Sequence, residues 1–269
     1  MVLNVCVAEY INNDMLNLEN LDKLVPGTQS IGRAVQVLRA VAANGRRGCR
    51  LEEIVSRTML PKTTCVRVLN RLAAEQMIRK QEASGKFYLG ALLDELGMLA
   101  RPDLRLSDTL DPVLERLADV TQDTVYLSEK RGLDAVCTAV KMGSYPIKVL
   151  PLDTGVRRPL GVAAGGMALL AALKPHEAHQ IIVSIGARYE GHGGITQAQV
   201  EQRLEQARLC GFAVAPSFGA PGAISLSVPL PNSFGIASVT VTALKSRMEQ
   251  DRQHEIVRFI HQAVRELDT

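Results

Sequence analysis

Apolar residues recur at helical spacing from Ser30 to Asn44, at Ile31, Ala34, Val35, Leu38, Val41 and Ala42. Ser30 is placed to cap that helix, and Asn44-Gly45 to end it in the left-handed conformation. A basic loop, Gly45 to Arg50, follows. Leu51, Ile54 and Val55 then mark a short helix, Met59-Leu60 turn the chain, and Pro61 stands where a first helical residue is tolerated. The next helix carries Cys65, Val68, Leu69 and Leu72 inward. Lys62, Thr63, Thr64, Arg67, Asn70 and Arg71 are left pointing outward. Past this point the period changes: Ile78–Gln81 and Lys86–Leu89 read as strands around the turn Ala83-Ser84-Gly85. Three helices and a two-stranded hairpin make a winged helix-turn-helix. Gly90 to Ala100 is apolar and helical, through Leu92, Leu93, Leu96 and Leu99, and Pro102 ends it. This is a linker helix whose stripe suits packing or dimer formation.

The second part mixes periods. Helices are expected at Leu106–Val120, Pro175–Ile185, Gln197–Cys210 and Arg247–Leu267, with a Gly/Ala-rich segment turning helical over Gly161–Leu173. Strands are expected at Thr124–Leu127, Leu133–Val140, Ile147–Leu150, Phe212–Ala215, Ala223–Pro229 and Ile236–Leu244. Helices and antiparallel strands in this order give an α+β fold. The chain thus divides into an N-terminal extension (1–28), a winged helix-turn-helix (29–90), a linker helix (91–102) and an α+β domain (103–269).

Charge sharpens this division. The net charge is +3, yet Gln29–Gly90 holds 12 basic and 4 acidic residues, a net of +8, which leaves −5 elsewhere. A basic module joined to an acidic one directs only the first toward a polyanion. Hydrophobic content of 46% supports a real core built from aliphatic side chains, since Trp is absent. No apolar run approaches the roughly 20 residues that cross a bilayer. The start, MVLNVCVAEY, lacks a basic flank and meets Glu9 too early for a signal peptide, so the chain is read as cytoplasmic with no membrane partner. Five cysteines without a CxxC pair indicate neither a zinc site nor a disulfide framework.

The major groove of B-DNA admits one α-helix, and Arg, Lys, Ser, Thr and Asn supply the donors that reach base edges and phosphates. Thr63 and Thr64 lie at the N-terminal end of the third helix, where backbone N–H groups also favour a phosphate. Arg67, a turn further on, is the candidate for a bidentate contact with guanine, and Lys62 and Arg71 flank it. Arg33 is placed to hold the DNA backbone. Lys86, Arg79 and Lys80 in the wing are placed to clamp phosphate or enter the minor groove. For Arg71 and Arg79 a surface salt bridge is an equal reading. One such module recognises few bases, so a dimer on a two-fold site is expected.

From Gln29 to the C-terminus the sequence resembles the IclR family of bacterial transcription regulators. The matching segments are SIGRAVQVLRAV, LEEIVSRTMLPKTTCVRVLNRLAAEQMIRK, GKFYLGALLDELG, RRPLGVAAGGMALLAAL, GFAVAPSFGAPGAISLSVPL and ASVTVTAL. The resemblance implies a GAF-like C-terminal effector domain, dimers often paired into tetramers, pseudo-palindromic operators, and small organic-acid or aromatic effectors. It carries the recognition-helix pattern onto Thr63, Thr64 and Arg67. It carries the effector loop onto Gly161, Val162, Ala163, Ala164 and Gly165, whose small side chains let backbone N–H groups approach a carboxylate. Facing hydroxyls come from Ser225 and Ser227 on one strand, Thr240 and Thr242 on the next. Two departures stand out. Ala215-Pro216-Ser217 occupies the place of an acidic run, and Gly161 and Met167 stand where many members have His and Lys. Arg157, Arg158 and Lys148 are candidates to balance an acidic ligand, though solvated charge is the commoner role for such residues.

The chemistry of catalysis is thin. Gly165-Gly166 and Gly191-His192-Gly193-Gly194 lack the spacing of a phosphate loop with Lys. His176-Glu177-Ala178-His179 has i, i+3 spacing without an evident third ligand and reads as the start of a surface helix. GxSxG is absent. The reading is therefore a ligand-responsive repressor of DNA, with no catalysis, cofactor or metal. The rivals are a constitutive DNA-binding regulator whose second domain only oligomerises, and a metabolic enzyme with a regulatory helix-turn-helix.

Overall fold

The computed structural model describes residues 27–100, 106–150, 152–234 and 236–267. They form two compact units, one ending at residue 100 and one starting at 106. The expected N-terminal extension, up to residue 26, and the end of the linker helix at Pro102 lie outside the described residues.

The first unit runs α1 (Gln29–Ala42), α2 (Leu51–Thr58), α3 (Lys62–Ala74), β1 (Ile78–Gln81), β2 (Lys86–Leu89) and α4 (Ala91–Leu99). Its core is Val37, Ala40, Val41, Cys49, Ile54, Cys65, Leu69, Leu72 and Ile78. The buried stripe of α1 differs from the expected one. Ile31 and Val35 are exposed, 64% and 37%, because Val37, Ala40 and Val41 carry the face that meets α2 and α3. The helix starts at Gln29, so Ser30 lies inside it rather than capping it. Pro61 is the residue before α3, not its first. β1 and β2 pair antiparallel with Ile78 opposite Leu89. Cys49, in the basic loop, exchanges two backbone hydrogen bonds with Phe87 (2.9 and 2.8 Å), which fastens that loop to the wing.

The second unit runs α5 (Leu106–Thr121), β3 (Thr124–Arg131), β4 (Asp134–Met142), β5 (Arg157–Pro159), α6 (Ala164–Ala171), α7 (Pro175–Ser184), α8 (Gln197–Cys210), β6 (Ala213–Pro216), β7 (Ala223–Pro229), β8 (Ala237–Leu244) and α9 (Gln250–Arg265). The strands form one antiparallel sheet in the order β5-β4-β3-β8-β7-β6. The strand expected over Ile147–Leu150 is irregular, and the short β5 takes the sheet edge instead. The last helix begins three residues later than expected, because Lys245–Arg247 forms a 3-10 turn.

Strand alternation gives the sheet two chemically different faces. Val125 and Leu127 of β3, Val239 and Val241 of β8, and Leu226 and Val228 of β7 share one face and pack with Leu114 and Leu117 of α5 and Ile256 and Ile260 of α9. In the alternate register stand Thr124 and Tyr126, Thr240 and Thr242, Ser225 and Ser227. The Gly/Ala-rich α6 lies against that hydroxyl face, backed by α7 and α8.

A buried charge joins α5, β3 and α9. Asp123, its side chain 3% exposed, accepts from Arg247 Nε (3.1 Å) and from an Arg252 guanidinium N (2.6 Å). Both arginines also donate to the Thr121 carbonyl, at 3.2 and 2.7 Å. Arg247 lies 3.8 Å from the Tyr145 ring centre. Removing one member of such a buried pair leaves the others uncompensated, so Asp123→Asn is expected to cost about 2–4 kcal/mol. Thermal and denaturant unfolding of the variant check this; unchanged unfolding would remove the cluster from the stabilising interactions.

Candidate functional site

The outer face of α3 is held out by its inner one. Cys65, Leu69 and Leu72 are buried, and Ile54 of α2 packs with them. Met59 adopts the left-handed conformation (φ +53°) at the end of α2 and makes the turn, at 86% exposure. Thr58 closes the corner from inside: its hydroxyl donates to Ile54 O at 2.8 Å and touches Cys65 Sγ at 3.4 Å. Lys62, Thr63 and Arg67 therefore stand exposed on α3, with Thr64 half-buried.

The basic residues of this unit have distinct employments. Arg57 turns inward and donates to Ala40 O (3.0 Å) and Asn44 Oδ1 (2.6 Å), tying α2 to the end of α1. Arg71 is ion-paired with Glu75 one turn on. Arg79 lies over the Tyr88 ring, 4.5 Å from its centre. Lys86 Nζ donates to Arg47 O at 3.0 Å, bracing the wing against the basic loop. Arg33, Lys62 and Arg67 have no side-chain partner among the described residues. The structural role of Arg57 has a sequence signal: it sits at i+3 from Ile54, on the flank of the buried face of α2.

In the second unit, a cavity of about 30 Å³ lies between the start of α6 and the hydroxyl face of the sheet. Ala163, Ala164, Gly165, Ser225, Thr240 and Thr242 line it, with Tyr126, Ser128, Cys137 and Arg158. Gly165 permits the close approach: a Cβ there would stand 3.1 Å from Ser128 Oγ and 3.2 Å from Thr240 Oγ1. Ser238 Oγ donates to the Gly165 carbonyl at 3.2 Å. The hydroxyls satisfy one another. Ser225 and Thr242 are 2.9 Å apart, Thr240 donates to Ser227 at 2.9 Å, and Ser227 donates to Val239 O at 3.2 Å. Ser227 is thereby consumed within the sheet and is not part of the cavity wall. Burial pushes the Cys137 thiol up to about 12, so it stays protonated and serves as apolar wall. The Tyr126 hydroxyl, raised by burial, donates to Val149 O at 3.0 Å.

Of the three cationic candidates, Arg158 reaches this cavity; it is 9% exposed and lies over the Phe218 ring at 4.8 Å. Arg157 is paired with Asp134 at 3.1 Å, and Lys148 donates to Gly143 O. Next to Phe218 in sequence, the Ser217 hydroxyl is buried with no hydrogen-bond partner among the described residues. Gly161 and Val162 face another way. Gly161 (φ +94°) turns the chain against Val200 and Tyr189, and both residues line an outer cleft beside α8. Ala163 borders both cavities. His176 and His179 are exposed at the start of α7, and His179 Nδ1 lies 3.3 Å from Glu201. Among the described residues, no group of three His, Cys, Asp or Glu could hold a metal ion, and no helix is long and apolar enough to cross a membrane.

Comparison with known proteins agrees with this architecture. The IclR helix-turn-helix domain matches residues 30–82, and the C-terminal domain of bacterial transcriptional regulators of the IclR type matches residues 99–269. The transcriptional regulator KdgR of Dickeya chrysanthemi is 24% identical over 253 residues, 93% of this chain and 82% of its own. The transcriptional repressor AllR of Salmonella paratyphi A is 25% identical over 239 residues, 86% and 87% of the two chains. An IclR homologue of Microbacterium hydrocarbonoxydans, solved in complex with 4-hydroxybenzoate, shares the fold with a TM-score of 0.66 at 21% identity, over 88% of this chain and 99% of its own. These relatives are transcriptional regulators rather than enzymes. With both domain types matched in order over most of its length, the chain belongs to the IclR family of bacterial transcriptional regulators.

Proposed function

We propose that this protein is a cytoplasmic repressor that binds a pseudo-palindromic double-stranded DNA operator as a homodimer or homotetramer and responds to a small organic effector. Residues 29–90 form the DNA-binding domain, 91–102 the linker helix, and 103–269 a GAF-like effector and oligomerisation domain; 1–28 is an extension. The observation that carries this is the outward row on α3. Lys62, Thr63, Thr64 and Arg67 stand on the second helix of a helix-turn-helix, and neither Lys62 nor Arg67 is spent on a protein partner among the described residues. Arg67 reads guanine, Thr63 and Thr64 approach the groove edge, Arg33 holds phosphate, and Lys86 does so after exchanging the Arg47 carbonyl for it. Arg71 contributes after exchanging Glu75 for DNA.

The effector is a carboxylate or aromatic molecule held at Ala163, Ala164 and Gly165 against Ser225, Thr240 and Thr242, with the flanking Gly161, Val162 and Ser227 shaping the loop and the hydroxyl ladder. The buried Arg158 on the cavity wall supplies positive charge for its anionic end. A cavity of about 30 Å³ holds little more than a water, so binding requires α6 and the sheet to part. That same small volume favours a second reading, a constitutive regulator whose C-terminal domain only oligomerises. Melting curves with small organic acids, 4-hydroxybenzoate first, separate the two: a ligand of the native state raises the midpoint.

A mobility shift on the DNA upstream of this protein's own gene tests the first reading, with a saturable, competitor-resistant complex expected. Arg67→Ala is expected to weaken specific binding by about 1–3 kcal/mol and relax preference at one base position; unchanged operator affinity would remove Arg67 from the contacts. Lys86→Ala should weaken all sequences alike and lower the slope of log affinity against log salt by about one. A loss confined to one sequence would contradict a phosphate role. Ala164 is fully buried. Ala164→Leu should therefore abolish the ligand-induced rise in melting temperature while sparing the DNA shift, and a normal ligand response would put the effector elsewhere.

A further inference from the structure

The outer cleft is far larger than the inner cavity, about 930 Å³, within the range of small-molecule sites. It opens along β6, the edge strand opposite β5, with α8 on one side and α9 on the other. The floor is apolar: Phe212 just before β6, Val214 of β6, Val257 of α9, Met167 of α6, and Val162 in the loop before α6. Helical spacing brings polar groups to both walls. Arg203, Gln206 and Cys210 face it from α8, and Gln250, Gln253, His254 and Arg258 from α9.

Two cations in that cleft are unspent. Arg203 is half-buried, Arg258 is exposed, and neither has a hydrogen-bond or ion-pair partner among the described residues. Elsewhere in the same unit Arg157, Arg188, Arg247 and Arg252 are each paired with a carboxylate. Half-burying the Arg203 guanidinium without a counter-charge is unfavourable, and an anion recovers that cost, with the exposed Arg258 positioned on the opposite wall as a second donor. Among the described residues, Asp251 is the one acidic side chain on the cleft wall. His254 stands edge-on to Phe212, ring centres 6.0 Å apart, and closes one side of the floor.

We propose that this cleft is a second small-molecule site, for an amphipathic monoanion. A carboxylate or sulfonate head is held by Arg203 and Arg258, and an apolar body lies on Phe212, Val214 and Val257. It is separate from the cavity over the hydroxyl face, with which it shares only the Ala163 wall. The site stands whether or not the inner cavity takes an effector.

The fluorescent aryl sulfonate anilinonaphthalene sulfonate is the probe, titrated into the purified full chain without DNA. One saturable site per chain is expected. Neutralising both cations (Arg203→Gln with Arg258→Gln) should weaken it about tenfold or more, whereas the paired Lys variants should stay within about threefold of wild type. Circular dichroism checks that each variant is folded. Octanoate should displace the probe and octylamine, of equal chain length and opposite charge, should not. Equal displacement by octylamine, or full binding by the double Gln variant, overturns the proposal. Loss of the signal in Ala164→Leu with retention in the double Gln variant places the probe in the inner cavity and also overturns it. So does a change of oligomeric state by light scattering in the double Gln variant with probe binding intact, which makes the cleft an interface between copies.

Discussion

A helix pressed onto a layer of hydroxyls is the constraint around which the second unit is arranged. Most sheets bury apolar side chains on the face that a helix covers. Here α6 meets Thr, Ser and Tyr oxygens, which cannot be left dry and unpaired. They are satisfied laterally, Ser225 with Thr242 and Thr240 with Ser227, and vertically, through Ser238 to the carbonyl of Gly165. That vertical bond requires a helix residue without a side chain, since a Cβ at Gly165 would crowd Ser128 and Thr240. The opposite face, built of Val and Leu against α5 and α9, anchors the sheet so that the polar side can be loosely filled. A polar, self-satisfied seam beside a small cavity is a place where a ligand can substitute its own oxygens for those of the protein.

The first unit solves a different problem, how to keep a strongly basic surface free for a polyanion. Its cations are divided between inside and outside work. Arg57 is drawn into the α1–α2 junction, Arg79 lies on an aromatic ring, and Lys86 braces the wing. Among the described residues, Arg33, Lys62 and Arg67 are left without protein partners. The rigid element presenting them is α3, fixed by Cys65, Leu69 and Leu72 beneath and by the Met59 turn before it.

In this IclR-family chain the loop before α6 and the start of that helix carry small and apolar side chains. The family resemblance sets departures at Gly161, at Met167 and at Ala215-Pro216-Ser217. Gly161 and Met167 both border the outer cleft rather than the seam under α6, so these departures alter the wall of the larger opening. The buried Arg158 is the cation that reaches the inner seam. The two cavities therefore differ in polarity as well as size, hydroxyl-rich within and arginine-flanked apolar without.

Local patterning along the chain was sufficient for the helix-turn-helix and the wing. A period change at Ile78, a Gly-centred turn at Gly85 and an outward row on α3 are all short-range signals, and β1 and β2 stand where the alternation puts them. The alternation of β7 and β8 likewise announces a two-faced sheet, because side chains of opposite character two residues apart must face opposite ways. What sequence could not decide depends on partners distant in the chain. The exposure of Ile31 and Val35 follows from which side of α1 meets α2 and α3, and Ser227 is withdrawn from the cavity by a strand partner thirteen residues on. Arg157 and Arg158 are neighbours of identical type, yet one pairs with Asp134 at the surface and the other is buried on Phe218. The outer cleft exists only because α8 and α9, some forty residues apart in sequence, flank the same edge strand. Periodicity determines which residues share a face; only packing determines what that face meets.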